Sequence, residues 1–439
     1  QLRAPDLLCL KCGQRIECRA KSKLQITMSD TPTRPDRHWD YGLRDGDLVG
    51  FVLCEMDPQS PYGWVASDKI NLFSVENLRN AVGKSRLGKP KGASEGAEQD
   101  RNWPAWVPGY DGKVVSVDDK TVTLVKDNGR RYSYSLKDRD YHPHVRTGDI
   151  ISKGALIAAS VVKSTETGRC LANSYDFASD LHSNDRETVN AACKALGFAS
   201  GSSARIISDL AKVSHSHPDR LIALQAAASL ARLGNEYGWR LLEQTATSGQ
   251  NLEIRMECVL ILGELLLPRA IDILYYVASQ KSNPGELRAA AIWGLGQYGN
   301  GAFDMLLSFV GDPDTDVALH AIVAASRTID NSNVNQALDM LGLDHRTSAA
   351  IVQLVLSSES NSGAKVVHKL MESKGLQRGW LMYLAGLMGK DSVIEHLDPL
   401  LPRTEPVIRE LSLMWEFHCD NWTNSVDMQS DLSLLKRQF

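Results

Sequence analysis

The chain has 439 residues, a formal net charge of −4 and an isoelectric point of about 6.3. That length accommodates about two to four domains, and the charge excludes any general electrostatic affinity for nucleic acid, so DNA binding would rest on a local patch. Eight cysteines, mostly scattered, fit a reducing compartment rather than a disulfide scaffold; with no signal peptide and no apolar run of membrane-spanning length, a cytoplasmic protein is expected.

Asp6, Cys9, Cys12, Glu17, Arg19 and Lys21 crowd one short stretch at the start of the chain. Alternation predicts a strand over 16–26, with Gly13 and Gln14 turning before it. Residues two apart share a strand face, so Glu17, Arg19 and Lys21 point one way while Ile16, Cys18 and Ala20 point the other. Asp6 is expected to end a preceding strand, and the loop over 9–13 to bring it back near Glu17. Two carboxylates beside a cation are what divalent-metal hydrolysis of a phosphodiester requires. The acids hold Mg²⁺ or Mn²⁺, the metal activates water, and the cation neutralises charge building on the phosphate oxygens. Lys11, Arg15 and Lys23 complete a local basic patch for DNA.

Cys9 and Cys12 form half of a structural zinc site, which takes four ligands. The nearest further candidates are Cys18, His38 and Cys54, none at a second CxxC spacing. An upstream cysteine pair, and a helix-borne catalytic acid, are expected before Gln1. A redox role is disfavoured, because no thioredoxin-like βαβ pattern surrounds the pair.

Pro5-Asp6 and Glu17-Cys18-Arg19 together resemble the PD-(D/E)xK nuclease core, in the version that carries a CxxC between its two acids. The resemblance covers roughly the first 80 residues. It implies an α/β restriction-endonuclease-like domain over 1–82, incomplete at its N-terminus. In it Asp6 and Glu17 ligate Mg²⁺, and Arg19 or Lys21 stabilises the transition state. Ser29-Asp30, the run Arg37 to Asp40 and the apolar strand Leu48 to Leu53 would continue the sheet. The family's lysine position holds Arg19, which grips phosphate but cannot give up a proton; Lys21, on the same face, is the substitute. A decayed site that only binds nucleic acid or metal is the alternative.

Residues 83–105 read as a flexible linker rich in Gly, Lys and Ser. Beyond it, Gly112 to Val117, Thr121 to Val125 and Arg131 to Leu136 alternate at period two with Asp-Asp-Lys and Asp-Asn-Gly turns between them, which predicts a small β module over 106–165. The run from Gly148-Asp149 to Lys153-Gly154 and Ala158 resembles the strand-turn of barrel–sandwich hybrid domains. Lys153 belongs to that turn and is expected to be structural. His142-Pro-His144 reads as a turn rather than a metal site.

From about residue 180 to 439 the period becomes helical, with small residues recurring. Arg255 and Arg288 occupy equivalent places in similar segments, 33 residues apart, and Asp312-Pro-Asp opens the next segment. These segments resemble HEAT repeats, which implies an all-α solenoid whose Arg–Asp pairs tie neighbouring repeats and whose surface binds a partner protein. His215, His217 and His320 show no ligand spacing, and no P-loop, GxGxxG or GxSxG occurs.

The expected architecture is therefore multidomain: an α/β nuclease-like core, a small all-β module and a helical solenoid. The function implied is a metal-dependent DNA endonuclease docked to partner proteins in a restriction or anti-phage complex, with a homodimer suiting double-strand cleavage. The alternative is a non-catalytic HEAT adaptor whose N-terminal hairpin binds zinc and nucleic acid.

Overall fold

A computed structural model describes residues 5–23, 25–57, 63–92, 97–137, 140–164, 170, 175–199, 203–358, 362–393, 396–397 and 406–411, with the side chains of 68, 69 and 390 left undescribed. The chain divides into two units, Gln1–Asp209 and Leu210–Phe439.

The first unit is β-rich. Its strands in chain order are β1 (Leu7–Leu8), β2 (Arg15–Lys21), β3 (Ile26–Asp30), β4 (Leu48–Met56), β5 (Trp64–Ser74), β6 (Arg86–Leu87), β7 (Gln99–Trp103), β8 (Ala105–Trp106), β9 (Gly112–Val117), β10 (Thr121–Val125), β11 (Arg131–Ser135), β12 (His142–Pro143), β13 (Ile150–Ile151) and β14 (Ala158–Ala159). They make four small sheets, ordered β1-β2-β4-β5, β3-β7-β6, β12-β14-β8 and β11-β10-β9-β13.

The parallel pair β2–β4 sets Glu17 beside Val49, Arg19 beside Phe51 and Lys21 beside Leu53. Val49 and Phe51 are fully buried and join Phe73, Ile26, Met28 and Trp103 in one core. Phe51 meets Phe73 edge-on at 5.8 Å, and Trp39 meets Trp103 edge-on at 5.0 Å, the geometry aromatic rings prefer. A second core lies under β9–β11, and the segment 156–161 serves both. Leu156, Ala159 and Val161 face the first core; Ile157 and Ala158 face the second.

The region over 5–82 is β-rich, and its α-helix among the described residues is α1 (Val75–Asn80), six residues capped by Ser74. Two expectations fail here. The first long strand ends at Lys21, and Ile26 opens a separate strand in another sheet. Arg37 to Asp40 does not extend a sheet but follows a short 3₁₀ turn at Pro35–Arg37.

The expected linker is also largely structured. Gln99–Trp103 pairs antiparallel with Ile26–Asp30, and Arg86–Leu87 pairs with β7 in turn. Arg101 Nε reaches Asp30 Oδ2 at 2.6 Å, with Asp30 fully buried. A polar strand can sit there because Asp100 and Asn102 face solvent while Trp103 fills the core. Residues 93–96 lie outside the described residues. The β module keeps its expected strands, and the Lys153 amide donates to Asp111 Oδ1 at 2.7 Å, tying the turn to the residue that precedes β9.

The helices are α2 (Phe177–Asp180), α3 (Arg186–Leu196), α4 (Ala204–Ser216), α5 (Arg220–Arg232), α6 (Glu236–Ser248), α7 (Leu252–Leu265), α8 (Pro268–Ser279), α9 (Gly285–Gly296), α10 (Phe303–Leu307), α11 (Thr315–Ser326), α12 (Val334–Asp339), α13 (His345–Ser357), α14 (Gly363–Glu372), α15 (Gly375–Met388) and α16 (Lys390–Val393). In the second unit α5, α7, α9, α11, α13 and α15 pack in succession as one layer, with the even-numbered helices behind them. Asp219, Asn235, Asn251, Asp314 and Asp344 cap five of these helices with side-chain oxygens, satisfying amides that the first turn leaves unpaired. Where α7 crosses α9, a Cβ on Gly263 would stand 2.8 Å from Gly294 Cα, so the contact requires glycine.

Both repeat arginines tie neighbouring repeats, Arg288 through the expected aspartate and Arg255 through an asparagine instead. Arg255 Nε donates to Ala246 O at 3.1 Å and its Nη2 to Asn283 Oδ1 at 2.8 Å. Arg288 Nε donates to Ala278 O at 2.7 Å, and its two Nη groups grip the Asp312 carboxylate at 3.2 and 2.5 Å. Each arginine thus ties the end of the preceding helix to the loop opening the next repeat. Burial opposes charge on Asp312, but the Arg288 guanidinium and the Asp314 amide hold its carboxyl below the usual range.

Breaking this pair strands a buried charge. Arg288→Ala should destabilise the second unit by about 3–5 kcal/mol, read as a fall in melting temperature, whereas Arg288→Met with Asp312→Leu should recover most of the loss. Since the folded pKa of Asp312 is depressed, its contribution is present above the ordinary aspartate value near ~3.9 and fades as pH falls through the folded value. Asp312→Asn should therefore flatten the acid limb of the melting curve.

Candidate functional site: a charged strand, a cysteine cluster and an apolar groove

Strand β2 aligns Glu17, Arg19 and Lys21 on one face because alternate residues of a strand share a side. Arg19 Nη2 pairs with Glu17 Oε1 at 2.5 Å, at side-chain exposures of 37% and 13%. Lys21 is half-buried, and burial together with Arg19 pushes its ammonium below the ordinary lysine range. Asp6 directly precedes β1, whose register sets Leu7 opposite Ile16. The chain therefore brings Asp6 back against β2, where its Oδ2 accepts from the Cys18 amide at 2.7 Å. Burial, with the nearby Asp6 and Glu17 charges, raises the Cys18 thiol. Both carboxylates are thus engaged with the protein, one by a backbone amide and one by a guanidinium.

The expected DNA-binding trio divides. Lys11 and Lys23 are exposed. Arg15 is not available to DNA: it is 5% exposed, donates to Gly42 O at 2.6 Å and faces Asp47 at 3.3 Å. It opens β2 beneath the loop that carries Gly42 and Asp47, so the basic run contributes one residue to the interior. Burial lowers the Arg15 guanidinium and raises the Asp47 carboxyl, each against the attraction of the other.

The cysteine pair is more organised than its spacing alone suggests. The Cys9 amide donates to Gln14 O at 2.8 Å and the Gly13 amide to Cys9 O at 2.9 Å, closing a tight knuckle. Gly13 sits at φ +74°, the left-handed region. The third sulfur comes from Cys170: the Sγ atoms of Cys9, Cys12 and Cys170 all lie within 4.8 Å of one another. Among the described residues this is the group of three or more His, Cys, Asp or Glu side chains arranged to hold a metal ion. The amides of Cys12 and Lys11 lower the Cys9 thiol to about 7, while burial and the neighbouring sulfurs raise Cys12 against the pull of the Gln14 amide.

Cys18, His38 and Cys54 do not join the cluster. Cys18 and Cys54 lie on β2 and β4, and His38 Nδ1 faces Asp40 Oδ1 at 2.7 Å, with Asp40 also held by Arg79 at 2.7 Å. Cys170 had no signal in the sequence, being a lone cysteine far from the first pair. Tyr175, five residues on, docks beside the pair, its amide donating to Lys11 O at 2.8 Å.

In the second unit, α11, α13 and α15 border an apolar groove of about 590 Å³, lined by Leu319, Val323, Val352, Leu356, Leu376 and Trp380 among others. Leu319, Val323 and Leu376 are 41%, 52% and 49% exposed. His345 and Trp380 rings stand 5.9 Å apart at its wall, and few polar groups interrupt it. The repeat pattern foretold the helices, but the groove arises because three successive helices each keep apolar side chains on an outward face.

No family model matches the chain, and no curated protein matches it. Among solved structures, it is similar to the complex of CpcE and CpcF of phycocyanin lyase from Nostoc sp. PCC7120, with a TM-score of 0.27 and 16% identity over 57% of this chain and 97% of that one. A likeness at that TM-score carries no argument about what this chain does. No helix among the described residues is long and apolar enough to cross a membrane.

Gly13 is the sharpest local test of the knuckle. A Cβ there would fall 2.8 Å from Tyr175 Cγ at a backbone angle that L-residues avoid. Gly13→Ala should cost at least roughly 1–2 kcal/mol from the backbone alone, seen as a lowered melting temperature and faster proteolysis of the first unit.

Proposed function

We propose that this protein is a non-catalytic adaptor whose helical-repeat unit grips an apolar segment of a partner protein. The observation that carries this reading is the groove across α11, α13 and α15. Leu319, Val323 and Leu376 stay exposed there although neighbouring positions on the same helices are buried. A contiguous apolar surface of this kind is costly to leave in water and is characteristic of interaction sites. Its apolar lining suits an amphipathic helix or an extended chain with apolar anchors. The β-rich first unit then serves as an appended recognition or bracing module, in a cytoplasmic setting.

The test is to place a photo-crosslinking residue at Gln353, which lines the groove, and identify what it captures in cells. A defined partner segment rich in apolar residues is expected, lost in Val323→Glu and Leu376→Glu with melting temperature unchanged. Capture that persists in both variants would sink the assignment.

A second reading is supported by the row Glu17, Arg19, Lys21 with Asp6 folded back against the same strand. In it the protein is a Mg²⁺-dependent DNA endonuclease within a restriction or anti-phage complex, acting as a dimer, with Asp6 and Glu17 on the metal and Arg19 or Lys21 on the phosphate. The donors fit only in part, because both carboxylates already hold internal partners and no third ligand stands with them among the described residues. Plasmid cleavage with Mg²⁺ or Mn²⁺, abolished by Glu17→Ala, would establish it. No cleavage at any protein concentration would remove it.

A further inference from the structure

We propose that Cys9, Cys12 and Cys170 bind one zinc ion, and that this ion clasps the turn after β1 to Cys170, beyond β14. The site rests on no part of the adaptor reading and stands or falls separately.

Zinc–thiolate bonds of about 2.3 Å at tetrahedral angles set sulfurs ~3.8 Å apart. The three Sγ atoms lie within 4.8 Å of one another, so metal entry needs only small side-chain adjustment. Two of them are presented by a closed turn, whose Cys9–Gln14 and Gly13–Cys9 hydrogen bonds form without any metal. The third comes from Cys170, and Tyr175, five residues on, docks against the same turn. The Tyr175 amide bonds Lys11 O, and the Tyr175 ring packs over Gly13 so closely that only glycine fits beneath it. All three cysteines are free and part-exposed, so an ion can reach them.

The donor set chooses the metal. Three thiolates favour a soft or borderline cation such as zinc over magnesium or calcium, which take oxygen. Three protein ligands leave one position of a tetrahedral ion for a further donor. Cys170 lies far along the chain from the other two, so binding closes a long loop and couples metal affinity to folding of the first unit. Binding also releases protons from the thiols as they become thiolates. Cys193 and Cys258 are single buried cysteines in the helical segments, outside this cluster.

The test uses the full chain. After dialysis against buffered zinc, elemental analysis should find an equimolar amount of zinc in wild type and in Cys193→Ser, and little in Cys9→Ser or Cys170→Ser. Cobalt should replace zinc and give a thiolate charge-transfer band that Cys170→Ser weakens. Should the cysteine variants fail to fold by circular dichroism, alkylation mapping of wild type decides: zinc should protect Cys9, Cys12 and Cys170 together, and leave Cys54 unaffected. Absence of zinc and cobalt binding, protection of Cys9 and Cys12 without Cys170, or a Cys9–Cys12 disulfide as the resting form would each overturn the proposal.

Discussion

The burial of β4 is the constraint on which the first unit depends. From Leu48 to Phe51 every residue is buried, with β2 on one side and β5 on the other. A strand covered on both faces reads as a continuous apolar run, and it fixes its neighbours by register, since a slip of one residue would turn Val49 and Phe51 out of the core. That register places Glu17, Arg19 and Lys21 beside Val49, Phe51 and Leu53. The charged row therefore borders an apolar core rather than open solvent, which is why Lys21 is half-buried and why Glu17 and Arg19 close on each other. It also stations the Cys9–Gly13 turn at the end of β1, where the segment around Tyr175 can cover it.

The second unit depends on repetition instead. No helix pair there covers its own apolar surface, so each repeat borrows its neighbour's. Arg255 and Arg288 convert that stacking into fixed geometry by bonding backward to a helix-end carbonyl and forward to the next loop. A buried ion pair such as Arg288–Asp312 adds little net stability over an apolar replacement; what the two arginines supply here is a defined spacing between repeats. With the spacing fixed, the outward faces of α11, α13 and α15 align into a groove that no helix possesses alone.

Legibility followed the range of the interactions. The helical repeats and the tying role of their arginines were readable because the signals recur locally, and the three main strands of the β module were readable from alternation between turn residues. The stretch over 99–103 was not, because Asp100, Arg101 and Asn102 look like linker until Asp30 and the core pocket for Trp103 are known. The α/β expectation for 1–82 came from a short motif, and a motif of a few residues cannot report whether helices flank its sheet. Arg15 shows the same limit at a single residue, since nothing in a basic run tells which member a buried Asp47 and a carbonyl at Gly42 will claim.

The sequence by itself determined the alternation of β2, the knuckle spacing of Cys9 and Cys12, and the helical period of the second half, because each depends on neighbours a few residues apart. Only the tertiary structure decided that Cys170 stands with that pair, that Arg15 turns inward, and that three repeats share one apolar groove. These are contacts between residues distant in the chain, set by packing and register, and local pattern carries no record of them.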